Sequence, residues 1–197
     1  GITSITSLFI IICAIVFLSI DNMYNQYDFM ILTGIIGSLI GFLFYNWHPS
    51  KMFMGDSGSQ FLGILIAAIG IKYFWNIESF ETNEVNIGKQ LIMVLIVFTL
   101  PICDTTAVVI NRLSRKSSPF VGGKDHTTHH LSYLGFTDTQ IGFIFAGISF
   151  ISCLIAVIIY RFVDKWTWVN NILFLIYFLA IFFSLFITTQ QYKDLRK

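Results

Sequence analysis

Three stretches of this chain, 29–50, 139–160 and 166–192, contain no Asp, Glu, Lys or Arg. A helix needs roughly 20 apolar residues to cross a hydrocarbon core of about 30 Å, and each stretch supplies them. A wider scan for charge-poor runs predicts six spans, at 4–20, 29–47, 59–75, 90–111, 140–160 and 169–189. Lys72 falls inside the third, where its ammonium is expected to snorkel to the interface beside Tyr73 and Trp75. Charged residues make up 12% of the 197 residues, too few to cover the surface of a soluble domain. The reading is an all-α integral membrane protein of about six transmembrane helices, with 1–197 as a single polytopic domain. A net charge of +1 gives no sign of nucleic-acid binding.

Six spans sort the loops onto two sides. One side receives 48–58, 112–139 and the C-terminal tail, with Lys51, Arg112, Arg115, Lys116, Lys124, Lys193, Arg196 and Lys197, eight of the 12 basic residues. The other receives Asp21, Asp28, Glu78, Glu81, Glu84 and Asp164. Positive charge marks the cytoplasm, so the first set is expected to face inward. Gly34, Gly37, Gly41, Gly63, Ala67 and Gly70 are expected to let neighbouring helices approach closely. Cys13, Cys103 and Cys153 lie in apolar runs without metal-binding spacing and read as small buried hydrophobes. The chain opens Gly-Ile-Thr, with neither Met nor a basic segment before its first apolar run, and is expected to be the downstream part of a longer one.

The unusual polar residues fall on the inward side. Asn46-Trp-His-Pro-Ser-Lys-Met-Phe-Met-Gly-Asp-Ser-Gly-Ser59 places Asp56 near two glycines in a tight interfacial loop. A lone carboxylate there suits a Mg²⁺ that keeps waters and substrate phosphates, and the competing reading is a simple turn. The string Gly55-Asp-Ser-Gly58 is also similar to a serine-protease nucleophile loop, but it joins two apolar helices and lacks that context. The loop after the fourth span carries His126, His129 and His130 with Arg112, Arg115, Lys116 and Lys124. On a helix, i, i+3, i+4 spacing would set the three imidazoles on one face. Cations, imidazoles and the Gly122-Gly123 amides suit phosphate or pyrophosphate better than zinc, while an ordinary basic juxtamembrane loop explains the arginines but not the histidines. Asp104 sits inside an apolar run, about two turns and roughly 10 Å from the inner end of its helix. An intramembrane acid points to function, and Asp104 reads equally as a ligand, as a partner orienting Arg112 or a histidine, or as a buried hydrogen bond.

Together these motifs resemble the polyprenyl-phosphate N-acetylhexosamine-1-phosphate transferases of the glycosyltransferase family 4 type. The likeness lies in Lys51-Met-Phe-Met-Gly-Asp-Ser-Gly-Ser59, in Asp104-Thr and the arginines after it, in Ser118-Pro-Phe120, and in the His-rich loop ending Leu131-Ser-Tyr-Leu-Gly135. It covers residues 1–145. The resemblance implies a bacterial cytoplasmic membrane enzyme whose catalytic loops face the cytoplasm. With Mg²⁺ it would move a sugar phosphate from a UDP-N-acetylhexosamine to polyprenyl phosphate, release UMP and start a cell-envelope glycan. It implies Asp56 as metal-binding and catalytic, Asp104 as catalytic, and His126, His129, His130, Arg112, Arg115 and Lys124 as substrate-binding. Membrane lipids are the expected surroundings, no nucleic acid is expected, and a homodimer stays open.

The family pattern Asp-x-x-His-x-His-His is one residue longer than Asp125-His-Thr-Thr-His-His130. Its Asp-Asp-x-x-Asp and Asp-Gly-x-Asp-Gly motifs lie upstream, and Gly1 resembles the residue after the second, so these 197 residues alone are expected to be inactive. The rival reading is a proton- or metal-coupled transporter, and a third is a non-catalytic scaffold. Transporters keep polar groups near the midplane on broken helices, whereas here they gather at one interface.

Overall fold

The computed structural model describes residues 1–20, 25–47, 49–76, 86–120 and 125–195, and among these every regular element is helical. The helices are α1 (Ile2–Ile20), α2 (Gln26–Asn46), α3 (Gly55–Ile69, continued by a π-helical segment Gly70–Trp75), α4 (Ile87–Val97), α5 (Thr99–Ser114), α6 (Thr127–Tyr133), α7 (Asp138–Phe162) and α8 (Trp168–Leu195). Five are long and apolar enough to cross a membrane, and α4 with α5 makes a sixth passage if the bent pair is one span. The predicted spans therefore reappear, with one break.

That break separates α4 from α5 by 79°. Pro101 lacks the N–H that would bond the Val97 carbonyl, and a missing rung at that point bends a helix. Thr99 Oγ1 adds to it by donating back to the carbonyls of Leu95 (2.9 Å) and Ile96 (2.7 Å). Phe98, at the corner, lies against Gly70 of the π-helical segment, where an added Cβ would come within 2.8 Å of its ring. Asp104 stands on α5, the half of the fourth span that follows this break.

α1 is the buried axis. Ile10, Ile11, Ala14 and Phe17 pack with Phe74, Met93, Ile96, Ala156 and Ile159 in one apolar core. Phe17 stacks on Tyr160 of α7 (centroids 4.6 Å) and meets Phe74 edge-on (5.3 Å). A second cluster joins Leu100 and Cys103 of α5, Leu131 of α6, Ile141 and Phe145 of α7 and Leu185 of α8. Close helix approach through the α2 glycines is not what the structure shows. Among the described residues nothing lies within 4 Å of a Cβ at Gly34, Gly37, Gly41 or Gly63, and α2 buries Leu32 and Leu39 instead.

Different contacts close the two ends of the bundle. At one end Lys72 reaches Asp28 of α2 at 2.6 Å and lies 5.4 Å from the centre of the Tyr73 ring, so its ammonium finds an ion pair. At the same end Lys89 Nζ donates to the Val163 carbonyl at 3.1 Å, at the close of α7. At the opposite end α8 is tied to α5: Asn111 Nδ2 donates to Thr189 Oγ1 (2.8 Å), and Gln190 Nε2 donates to Asn111 Oδ1 (2.6 Å). Asn111 and Thr189 are both fully buried, which makes paired amide and hydroxyl groups a requirement rather than an option.

Candidate functional site

The ends of α2, α5 and α8 meet the starts of α1, α3 and α7, and α6 lies among them. Residues 49–54 fold back on α2: Ser50 Oγ donates to the Asn46 carbonyl (2.8 Å), Lys51 N to the Tyr45 carbonyl (2.9 Å), and Asn46 Nδ2 to the Met52 carbonyl. Gly55, at φ +67°, opens α3 in a conformation that costs a side chain little only when there is none. Asp56 follows in the first turn, exposed, and among the described residues no side chain bonds its carboxylate.

Asp104 is the opposite case. Its Oδ1 accepts from the Thr127 backbone N–H (2.8 Å) and from Thr127 Oγ1 (2.7 Å), while Oδ2 pairs with His126 Nδ1 at 2.7 Å. The hydrogen bond to Asp104 raises the His126 pKa above the ordinary histidine value, with partial burial and Arg112 opposing it.

The α5–α6 connection is built on a second acid. Arg112 Nε bonds Asp125 Oδ2 at 3.1 Å, Arg112 Nη1 donates to the Pro119 carbonyl at 2.9 Å, and Arg115 Nη1 lies 3.8 Å from Asp125 Oδ1. α5 ends with Ser117 N bonded to the Arg112 carbonyl and Lys116 N to the Leu113 carbonyl, the reversed pattern that needs a left-handed residue. That residue is Lys116, at φ 56°. α6 ends the same way with Gly135 at φ +96°, where glycine carries no Cβ penalty.

The histidines do not share one face, which corrects the helical-spacing expectation. α6 starts only at Thr127, so His126 stands before it in extended backbone and turns to Asp104. His130 is 4% exposed and meets Tyr133 edge-on, while His129 lines a cavity of about 240 Å³. Asn46, Trp47, Ser50, Thr128, Ser132 and Asp138 line it too. The structure thus joins His129 to Asn46, Trp47 and Ser50, His126 to Asp104, and Arg112 and Arg115 to Asp125. Asp56 does not line the cavity, and Lys124 lies outside the described residues.

The sequence reading passed over Asn46 and Trp47 as individual site residues. Asn46 is 7% exposed, and its Oδ1 has no hydrogen-bond partner among the described residues, a buried acceptor at the cavity wall. An Asn closing a long apolar run is the signal that marked it. Trp47 lies over Gly142, where an added Cβ would come 3.2 Å from the indole. Among the described residues no group of three or more His, Cys, Asp or Glu side chains is arranged to hold a metal ion. One exposed carboxylate fits an ion such as Mg²⁺, which takes one or two carboxylates and draws its other ligands from waters and substrate phosphates.

The fold and site define a multi-pass membrane protein whose polar loops gather at one end of the bundle, where His129 and Asn46 line a cavity. Residues 1–74 match the family described as Glycosyl transferase family 4. A probable undecaprenyl-phosphate N-acetylglucosaminyl 1-phosphate transferase of Bacillus subtilis is 30% identical over 77% of this chain and 38% of its own length. A phospho-N-acetylmuramoyl-pentapeptide-transferase of Kosmotoga olearia is 31% identical over 68% of this chain and 39% of its own. A decaprenyl-phosphate N-acetylglucosaminephosphotransferase of Mycobacterium leprae is 30% identical over 54% and 28%. The chain is therefore related to the polyprenyl-phosphate hexosamine-phosphate transferases of this family, and it spans less than half the length of these relatives. No solved structure matches it significantly.

Proposed function

We propose that this chain carries the donor-side loops of a transferase that moves N-acetylhexosamine-1-phosphate from a UDP-sugar to polyprenyl phosphate. The observation that carries the reading is the cavity where His129 of α6 meets Asn46, Trp47 and Ser50, on the same end of the bundle as Asp56 and the Arg112–Asp125–Arg115 group. An oxygen of the lipid phosphate attacks the sugar-bearing phosphorus, a new P–O bond forms, and the bond to the UMP oxygen breaks.

The chain's own residues position and screen. His129, Asn46 and Trp47 face the donor, with the Asn46 Oδ1 offering an acceptor to one of its hydroxyl or amide groups. Arg115, half exposed, brings positive charge toward phosphate, and Lys124 is assigned the same role from the sequence. Arg112 is buried against Asp125 and Pro119, so it acts by holding the loop in place. His126 acts through Asp104, and His130 is buried against Tyr133. Asp56 would hold Mg²⁺, which when bound offsets pyrophosphate charge. The excess of basic residues on these loops supports a cytoplasmic orientation, against lipid on the bundle's other faces.

The test uses the full-length protein in membranes with UDP-N-acetylglucosamine and undecaprenyl phosphate. The expected result is UMP released in step with lipid-linked sugar, both lost on chelation of divalent metal. Neither product formed with any UDP-N-acetylhexosamine would remove the reading.

A further inference from the structure

Seven residues, Thr127–Tyr133, make α6 too short to hold helical shape on its own strength. Its N-terminal N–H groups need acceptors, and His126, the residue in the cap position, makes no side-chain cap bond. The acceptor comes from another helix. Asp104 of α5 takes the Thr127 N–H and the Thr127 hydroxyl on one oxygen and His126 Nδ1 on the other. Three of the roughly four lone-pair sites of a carboxylate are thereby occupied by α6 and its leading residue. Leu100 and Cys103, on the same helix as Asp104, pack in one cluster with Leu131 of α6, so the polar clamp and the apolar contact fix the short helix together. Two residues beyond Thr127, His129 lines the cavity.

We infer that Asp104 is a positioning residue, which caps α6 from α5 and so sets His129 at the cavity wall. Of the roles open to an acid buried in an apolar run, this one uses its bonds as they stand, since Asp104 itself is not among the cavity-lining residues. The inference rests on the proposed transfer reaction only for its kinetic readout.

The experiment measures hydrogen exchange and transfer on the full-length protein in lipid nanodiscs. Asp104→Ala is expected to speed exchange of amides 127–133 by roughly tenfold, the size of a lost helix cap, while α7 amides stay protected. Its KM for UDP-N-acetylglucosamine is expected to rise by about the same factor, with kcat changing less. Asp104→Asn keeps an oxygen for Thr127 and is expected to hold both values within about threefold of the unsubstituted protein. Thr127→Val removes one of the three bonds from the loop side, so it gives a smaller change in the same direction even if Asp104→Ala does not fold. Unchanged α6 exchange in Asp104→Ala would overturn the inference. So would an Asp104→Asn protein with α6 protected but transfer as low as in Asp104→Ala, because the carboxylate would then act directly. Faster α6 exchange in Asp104→Ala, with no transfer even by the unsubstituted protein, would support the clamp and count against the transferase reading.

Discussion

The starts of α3 and α6 set two carboxylates in contrasting surroundings. Asp56 belongs to the helix it stands on, is exposed, and bonds no side chain among the described residues. Asp104 comes from a different helix, and both of its oxygens are engaged by the residues that open α6. A charge left open at a glycine turn is available to a ligand. A charge whose lone pairs are taken up by the fold contributes geometry instead. Ionisable residues in an apolar chain therefore divide by what already bonds them, and type or depth alone does not separate them.

The sharpest way to break this contrast is Asp56→Asn, for which transfer is expected to fall by roughly 10²- to 10³-fold, the order seen when one charge-stabilising group is removed from an active site. Its thermal unfolding in detergent should match the unsubstituted protein, because the side chain is exposed. Near-full transfer would remove Asp56 from the site. The paired histidines extend the comparison. His129→Ala is expected to weaken UDP-N-acetylglucosamine binding by about 10- to 100-fold, the range for a lost hydrogen bond to a charged group. His130→Ala is expected to lose about 2 kcal/mol of stability as a buried ring is removed, with a smaller effect on affinity. Isothermal titration and unfolding on both variants check it, and the reversed order would exchange the two roles.

The spans were legible because runs without charge have one available explanation, and the sidedness of the polar loops followed from counting loops between them. The class of the protein was legible in Lys51–Ser59 and the His-rich loop, since those motifs are local in sequence. The 79° break was signalled by Pro101, but the size of a bend depends on what receives it, here Gly70 lying against Phe98. The α2 glycines misled because small residues permit close packing without requiring it. The histidine triplet misled because the helix begins at Thr127, at a boundary set by Asp104 on another helix. Asn46 was missed because a buried acceptor is defined by what surrounds it.

Two smaller predictions sharpen the α6 side. The raised His126 pKa means that folding favours its imidazolium, so the pair's contribution to stability is complete below the unfolded histidine value and fades as pH rises through the raised folded value. Histidine ring titration by NMR should place His126 above the ordinary value of about 6.5, and Asp104→Asn should bring it down. An unshifted midpoint would mean that the two side chains do not pair in solution. Last, Lys116→Gly should stabilise the end of α5 by about 1 kcal/mol, because glycine adopts the left-handed backbone there without a Cβ clash. A lower unfolding temperature would contradict that.

The most direct test of the contrast places Asp56→Asn and Asp104→Asn side by side in one transfer assay on full-length protein, at equal membrane levels. Both changes remove one negative charge and keep the side-chain shape. Asp56→Asn should lose transfer by roughly 10²- to 10³-fold, while Asp104→Asn, which retains an oxygen for Thr127, should keep a substantial fraction of the transfer rate. Equal loss in the two, or an inactive Asp104→Asn beside an active Asp56→Asn, would contradict the division between a carboxylate offered to the ligand and one held by the fold.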